Sequence, residues 1–257
     1  MTLKSSLLVI LGVLFLLTGC CKFSIPGSQL FNQKSSRPAP LKALKPVTTS
    51  INATSAWQVS TGSAMGENKV HPYIDSQSVY VAGGSSASSW QKSSGKQQWK
   101  AAIGETVSAG VNGSYLPRAN NGSTTSNAQQ VFIGTISGNA IALDAKTGKV
   151  QWIERLSSEV LSVSPSLNNR VVFRTIDGKL HGLAANTGEL IWQRSQATPA
   201  LSQLGASVPV IASNLVIAGF DNGKVAAYNL QNGQGVWQVP LALPRGNTEL
   251  EQMIDVD

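Results

Sequence analysis

The side chains able to do covalent or acid–base chemistry are few in this protein and poorly grouped. Its only two cysteines, Cys20 and Cys21, are adjacent and close to the N-terminus. The two histidines, His71 and His181, are single and far apart, and the 13 acidic residues are scattered. A nucleophile–base relay, a zinc site and a phosphate-binding loop each require particular residues at short, defined spacings, and no such spacing occurs. A Ca²⁺ site needs clustered oxygen ligands, and these are also missing. Glu249 and Glu251 come nearest to a carboxylate pair, but they lie in a polar stretch that reads as a solvated loop. His71 and His181 read as surface or half-buried residues, with His181 on a strand. The expectation is a protein with no catalytic residue, no bound metal and no cofactor.

One cysteine does have a reactive context. Lys4 is followed by an apolar run from Leu7 to Leu17, which is of signal-peptide length and too short to cross a bilayer. It ends "LLTGC", with small residues at Thr18 and Gly19 ahead of Cys20. This pattern resembles the bacterial lipoprotein signal. That resemblance implies cleavage after residue 19, fatty acylation (palmitate) on Cys20, and attachment to a membrane without a transmembrane helix. Cys21, which would follow a cysteine, is a poorer acceptor. Residue 21 is not the Asp that usually retains such lipoproteins in the inner membrane, so the expected location is the outer membrane, on its periplasmic face. Residues 20–53 read as a tether, rich in Ser, Pro and Lys and without apolar periodicity. The formal net charge of +7 is not gathered with aromatics on any visible face, so nucleic acid is not an expected partner.

The elements downstream are announced by tryptophan. Gly95/Trp99, Gly148/Trp152, Gly188/Trp192 and Gly233/Trp237 each place a Gly four residues before a Trp, in the stretches "KSSGKQQW", "DAKTGKVQW", "ANTGELIW" and "LQNGQGVW". Successive Trp residues stand 53, 40 and 45 positions apart (99 to 152, 152 to 192, 192 to 237). Short Val/Ile/Leu/Ala runs between turn dipeptides favour strands, and little helix is expected. In the third unit Pro165 is expected to open a strand. Asn168-Asn169 is read as a turn, Val171–Thr175 as a second strand, Asp177-Gly178 as a tight hairpin, Lys179–Ala184 as a third strand and Glu189–Arg194 as a fourth. The fourth unit repeats this pattern around Leu215–Gly219, Asn222-Gly223, Val225–Tyr228 and Trp237. Four antiparallel strands at a period in the forties make a β-propeller blade, and the fold class is all-β. Trp57, Trp99, Trp152, Trp192 and Trp237 are expected to be structural staples between blades. "TSAWQVSTG" reads as an isolated last strand carrying Trp57. Residues 118–130 read as a polar inserted loop. With four to five blades in residues 54–257, the propeller is expected to be partial, truncated on its C-terminal side.

The unit "GTISGNAIALDAKTGKVQW" resembles the quinoprotein-like (PQQ-like) propeller repeat. The lipoprotein signal, "LFN" at Leu30–Asn32, "AWQVSTG", "GFDNGKVAAY" and above all "GNTELEQMIDVD" resemble the BamB family of outer-membrane assembly lipoproteins. The resemblance implies an eight-bladed propeller acting as a non-catalytic scaffold of the barrel-assembly (BAM) complex. It would bind the periplasmic (POTRA) domains of BamA alongside the other BAM lipoproteins, with unfolded outer-membrane proteins as clients. In that family the contact uses an "LSLRG"-type loop and the two Asp of "DVD". Here the matching positions read "LSQLG", so Leu201, Gln203 and Leu204 are candidate partner residues together with Asp255 and Asp257. Gln203 replaces an apolar residue and Leu204 replaces an Arg, which removes a guanidinium fork that could pair with carboxylate. Two other readings are a fragment of a quinone-dependent dehydrogenase and a general envelope-binding propeller. The dehydrogenase lacks support because no Cys follows position 21.

Overall fold

Six-residue strands recur along the sequence, and nine glycines, two asparagines and one serine among the described residues take a left-handed backbone between them. The computed structural model describes residues 54–61, 70–114, 129–196 and 207–241. Sixteen strands occupy them, with no helix among the described residues. β1 (Tyr73–Ile74), β2 (Ser78–Gly83), β3 (Ser86–Gln91) and β4 (Gln97–Ala102) form one sheet. β5 (Val107–Gly113), β6 (Gln130–Thr135), β7 (Asn139–Asp144) and β8 (Val150–Arg155) form the second. β9 (Val160–Val163), β10 (Arg170–Thr175), β11 (Lys179–Ala184) and β12 (Leu190–Ser195) form the third. β13 (Val210–Ala212), β14 (Leu215–Phe220), β15 (Lys224–Asn229) and β16 (Gly235–Pro240) form the fourth. Each sheet is an antiparallel meander in sequence order, and each is one propeller blade.

The sequence expectations hold for most strands and fail at two. Pro165 does not open a strand. The first strand of blade 3 is β9, and Ser164–Asn169 is the turn that follows it. Proline cannot donate to a ladder, and Asn168 and Asn169 both take positive φ (50° and 57°), which ends the strand. Nor is there a strand at Thr54–Thr61. Trp57 nevertheless docks as the later tryptophans do. Of the expected insertion, residues 118–128 lie outside the described residues, while Gln130 already opens β6.

The innermost strands hold the blades together around the axis. Val111 N–H donates to the His71 carbonyl at 3.1 Å, and Ser166 N–H donates to Gly113 at 2.8 Å. Ser108 Oγ reaches Val160 O (2.6 Å), Asn112 Nδ2 reaches Val163 O (3.1 Å) and Ser162 Oγ reaches Ser207 O (3.1 Å). The apolar cores lie between the blades. Tyr80, Val107, Ile133 and Leu143 fill the seam of blades 1 and 2. Phe132, Val160, Val171 and Phe173 fill that of blades 2 and 3, and Val172, Leu180, Val216 and Phe220 fill that of blades 3 and 4.

The Gly–Trp pairs explain the seams, though not as pairs within a unit. Each Trp lies on the glycine of the next unit. A Cβ on Gly95 would stand 2.8 Å from the Trp57 ring, one on Gly148 2.5 Å from Trp99, one on Gly188 2.7 Å from Trp152 and one on Gly233 2.6 Å from Trp192. The indole N–H of each ring donates to the carbonyl three residues before that glycine: Trp57 to Lys92 (2.8 Å), Trp99 to Ala145 (2.9 Å), Trp152 to Ala185 (2.8 Å) and Trp192 to Leu230 (3.0 Å). The glycines have φ between +68° and +80° and close the turn through their own N–H, as in Gly148 to Asp144 O at 2.8 Å. Glycine is needed here on both counts, left-handed backbone and missing Cβ. A β-bulge sits in front of the Trp of every blade, at Ser89/Trp90, Ala142/Leu143, Gly182/Leu183 and Ala227/Tyr228, and sets the direction of the ring. Trp237 has no such seat among the described residues, and it is 40% exposed where Trp192 is 6%.

Candidate functional site

An antiparallel meander puts its turns at two ends. The strand 2–3 hairpins and the links from one blade to the next share one end, here the connection end. The strand 1–2 and 3–4 turns share the other, the turn end. Each outermost strand leaves its blade in the same way, its exit residue donating a backbone N–H to the adjacent hairpin. The four bonds are Ile103 to Ser85, Leu156 to Gly138, Gln196 to Gly178 and Leu241 to Gly223, at 2.8 to 3.1 Å. Leu201, Gln203, Leu204, Asp255 and Asp257 lie outside the described residues, as does Cys20. Their neighbours in the sequence are well placed, however. Gln196 precedes the first group and Leu241 precedes the second, so the two segments depart from equivalent positions of adjacent blades at one end. Gln196 also donates from Nε2 to Tyr228 Oη at 2.5 Å, which ties the exit of blade 3 to blade 4.

Below this end lies a layer of buried and half-buried polar side chains. Asn139 Nδ2 donates to Glu105 Oε1 at 2.7 Å and Thr135 Oγ1 donates to Oε2 at 3.0 Å. Burial disfavours the charge on Glu105, but hydrogen bonds from Asn139, Ser137 and Thr135, with Arg155 nearby, hold its carboxyl below the usual range. In blade 3 Thr175 Oγ1 donates to Asp177 Oδ1 at 2.5 Å and Lys179 pairs with the same carboxylate at 2.6 Å. Burial opposes charge at Asp177 too. The bonds from Lys179 and from the Thr175, Ser157 and Ser158 hydroxyls outweigh it and hold this carboxyl far below its ordinary value. Arg174, expected by no sequence argument, is 2% exposed and bridges blades 3 and 4. It donates to Gly219 O (2.7 Å) and Asp221 Oδ1 (2.8 Å), and its guanidinium lies 5.3 Å from the Phe220 ring centre. The available signal was the second arginine of "RVVFRT", which follows the apolar run Val171–Phe173 directly and lies in the interior of the strand.

His181 corrects the expectation of a surface or half-buried histidine, because it is 1% exposed. Nε2 lies 3.2 Å from both Ser157 Oγ and Thr175 Oγ1, and Nδ1 has no partner. Burial pushes its pKa down to about 4, and Lys179 adds to this while Asp177 opposes it. A hydroxyl beside an imidazole has the outline of a nucleophile and base. Here no carboxylate orients the ring, and the ring is sealed from solvent, so the contact holds blade 3 against the link from blade 2. His71 is exposed, as expected. Among the described residues no three His, Cys, Asp or Glu side chains gather as metal ligands. A cavity of about 100 Å³ lies between the inner strands, lined by Tyr73, Val111, Asn112, Leu161 and Ser162, and has room for a few waters.

The residues from 112 to 257, more than half of the protein, match the family described as outer membrane protein assembly factor BamB. Over 221 residues the sequence is 33% identical to the protein of that name from Burkholderia pseudomallei (strain K96243), covering 85% of this protein and 53% of that one. It is 30% identical to the one from Yersinia pestis over 261 residues, covering 100% of this protein and 63% of that one. The crystal structure of BamB from Moraxella catarrhalis superimposes with a TM-score of 0.64 at 25% identity, covering 74% of this protein and 54% of that one. The sequence thus spans between about half and two thirds of the length of these relatives. The relatives are named as assembly factors.

Proposed function

We propose, from the premise that this chain belongs to the outer membrane protein assembly factor BamB family, that it is a non-catalytic scaffold lipoprotein of the barrel-assembly machinery. The family match across residues 112–257 carries this reading. Residues 1–19 are a signal peptide, and acylated Cys20 holds the protein to the outer membrane on its periplasmic side through the tether of residues 20–53. The partner is the periplasmic part of BamA, beside the companion lipoproteins, with unfolded barrel proteins as clients. Leu201, Gln203, Leu204, Asp255 and Asp257 make the contact. The common departure point of the two segments, at Gln196 and Leu241 on one end of adjacent blades, supports their acting as one surface.

The test is affinity capture of the full-length protein from detergent-solubilised envelopes. BamA and its companion lipoproteins are expected to co-purify, and Leu201→Asp with Asp255→Ala to reduce the yield at least several-fold. A folded, abundant protein that brings down none of them overturns the reading. Mass spectrometry of the N-terminal peptide reports separately on acylation at Cys20.

A further inference from the structure

The strand 3–4 turns repeat in backbone but not in charge. Blade 1 carries Lys92 and Lys96 in its turn and blade 2 carries Lys146 and Lys149. The equivalent turns "ANTGEL" and "LQNGQG" of blades 3 and 4 hold no cation. All four lysines are exposed, and the only ion pairs among the described residues are Arg174–Asp221 and Lys179–Asp177. Asp144, the one carboxylate in either turn, caps its own loop through the N–H groups of Lys146 (3.1 Å) and Thr147 (2.8 Å). The two turns are neighbours, because Trp99 from the first blade lies on Gly148 in the turn of the second. The polypeptide also enters the fold here, since Trp57 is bonded to Lys92 O and lies on Gly95.

We propose that the paired-lysine turns of blades 1 and 2 form an electrostatic docking surface for an anionic lipid bilayer. This rests on the reading of Cys20 as a lipid anchor, which puts the bilayer at the far end of the segment leading to Trp57. Four unpaired ammonium groups on one rim, beside the point where the anchored segment joins the fold, are drawn to the negative surface potential of anionic headgroups within a Debye length. The rim holds the turn end toward the membrane. The connection end, with the exits at Gln196 and Leu241, then faces away and stays open to protein partners. An acidic polypeptide offers the same charge sign, but it would not account for the rim lying where the anchored segment arrives.

The probe is vesicle co-sedimentation of the full-length protein with the substitution Cys20→Ser, so that acylation plays no part. Binding to phosphatidylcholine–phosphatidylglycerol vesicles, absent with phosphatidylcholine alone and falling as salt rises, is expected. Replacing Lys92, Lys96, Lys146 and Lys149 by Gln should weaken it by at least ten-fold, since each lysine near an anionic surface is worth roughly five-fold in affinity. The thermal midpoint should not change. A control with Lys34, Arg37, Lys42 and Lys45 replaced by Gln should retain most of the binding. The proposal fails if the rim variant binds as well as the parent, if only the tether variant loses binding, or if the protein binds polyglutamate and ignores the vesicles. The last result points to an acidic polypeptide partner. Because no BamA is present, failure here leaves the envelope capture experiment unaffected.

Discussion

At Gly188 the backbone has φ +80° and a Cβ would meet the Trp152 ring at 2.7 Å, whereas at Gly104 the φ is +82° and nothing stands within 4 Å. The pair separates two reasons for glycine. Gly104→Ala should cost only the left-handed penalty, about 1 kcal/mol. Gly188→Ala must also displace a packed ring and should cost about 3 kcal/mol or more. Urea titration of the two variants checks the difference. His181 makes a second prediction at this scale. Its pKa is about 4 in the fold, against 6.5 for an ordinary histidine. The unfolded state therefore binds the extra proton first as the pH falls. Stability should drop by at most about 3 kcal/mol between pH 6.5 and 4, with no further loss from this group below that. Asp177 is shifted in the same direction, downward, so its contribution is also lost on acidification, but in a lower window, as the pH falls through and below the ordinary carboxylate value of 3.8. Chemical denaturation of His181→Gln at stepped pH should lack the upper window and keep the lower one.

A strand with its bulge and its tryptophan is the unit in which the seams are built. Trp152→Ala removes a ring that is 9% exposed and leaves the Ala185 carbonyl without its donor, so a loss of about 3–5 kcal/mol is expected. Trp237→Ala should cost under about 1 kcal/mol in the same protein, because the ring is already 40% exposed. A double-mutant cycle of Trp152→Ala and Gly188→Ala should be strongly non-additive, since the second change meets no ring once the first is made. Arg174→Ala would leave Asp221 and the Gly219 carbonyl without their donor in a buried seam, and about 3–5 kcal/mol of destabilisation is expected by calorimetry. The strands were readable because the Asp-Gly and Asn-Gly hairpins and the Gly-Trp spacing are local signals. The first strand of each blade was harder. β9 has four residues and β1 two, and each pairs with only part of its neighbour, Tyr73–Ile74 with Val79–Tyr80 and Val160–Val163 across a bulge with Phe173–Thr175, too short a stretch to show an alternating pattern.

For the whole molecule, blade repetition and the all-β class could be read from turn dipeptides, yet the partners of the tryptophans could not. Periodicity shows that Gly188 and Trp192 recur together, but only packing shows that Gly188 serves Trp152. Buried polar residues were the main blind spot. Arg174 and His181 look like surface residues by type, and their burial is made tolerable by partners distant in sequence, Gly219 and Asp221 of blade 4 for Arg174, and Ser157 in the link before blade 3 beside Thr175 of its own blade for His181. The candidate partner segments were legible only through family likeness, since Leu201 or Asp255 carries no spacing that announces a contact. The seam rule has one further implication. A blade brings its own glycine seat for the ring before it and its own ring for the seat after it. So far as the ring-on-glycine contact goes, any unit of this repeat suits any other as a neighbour. Whole blades can therefore be duplicated or exchanged in a gene with that contact kept, whereas a bridge particular to one seam, such as Arg174 to Asp221, is lost unless both its blades move together. A length change inside a blade has no such tolerance, because shifting Trp152 by one position aims its ring at the wrong face of the sheet.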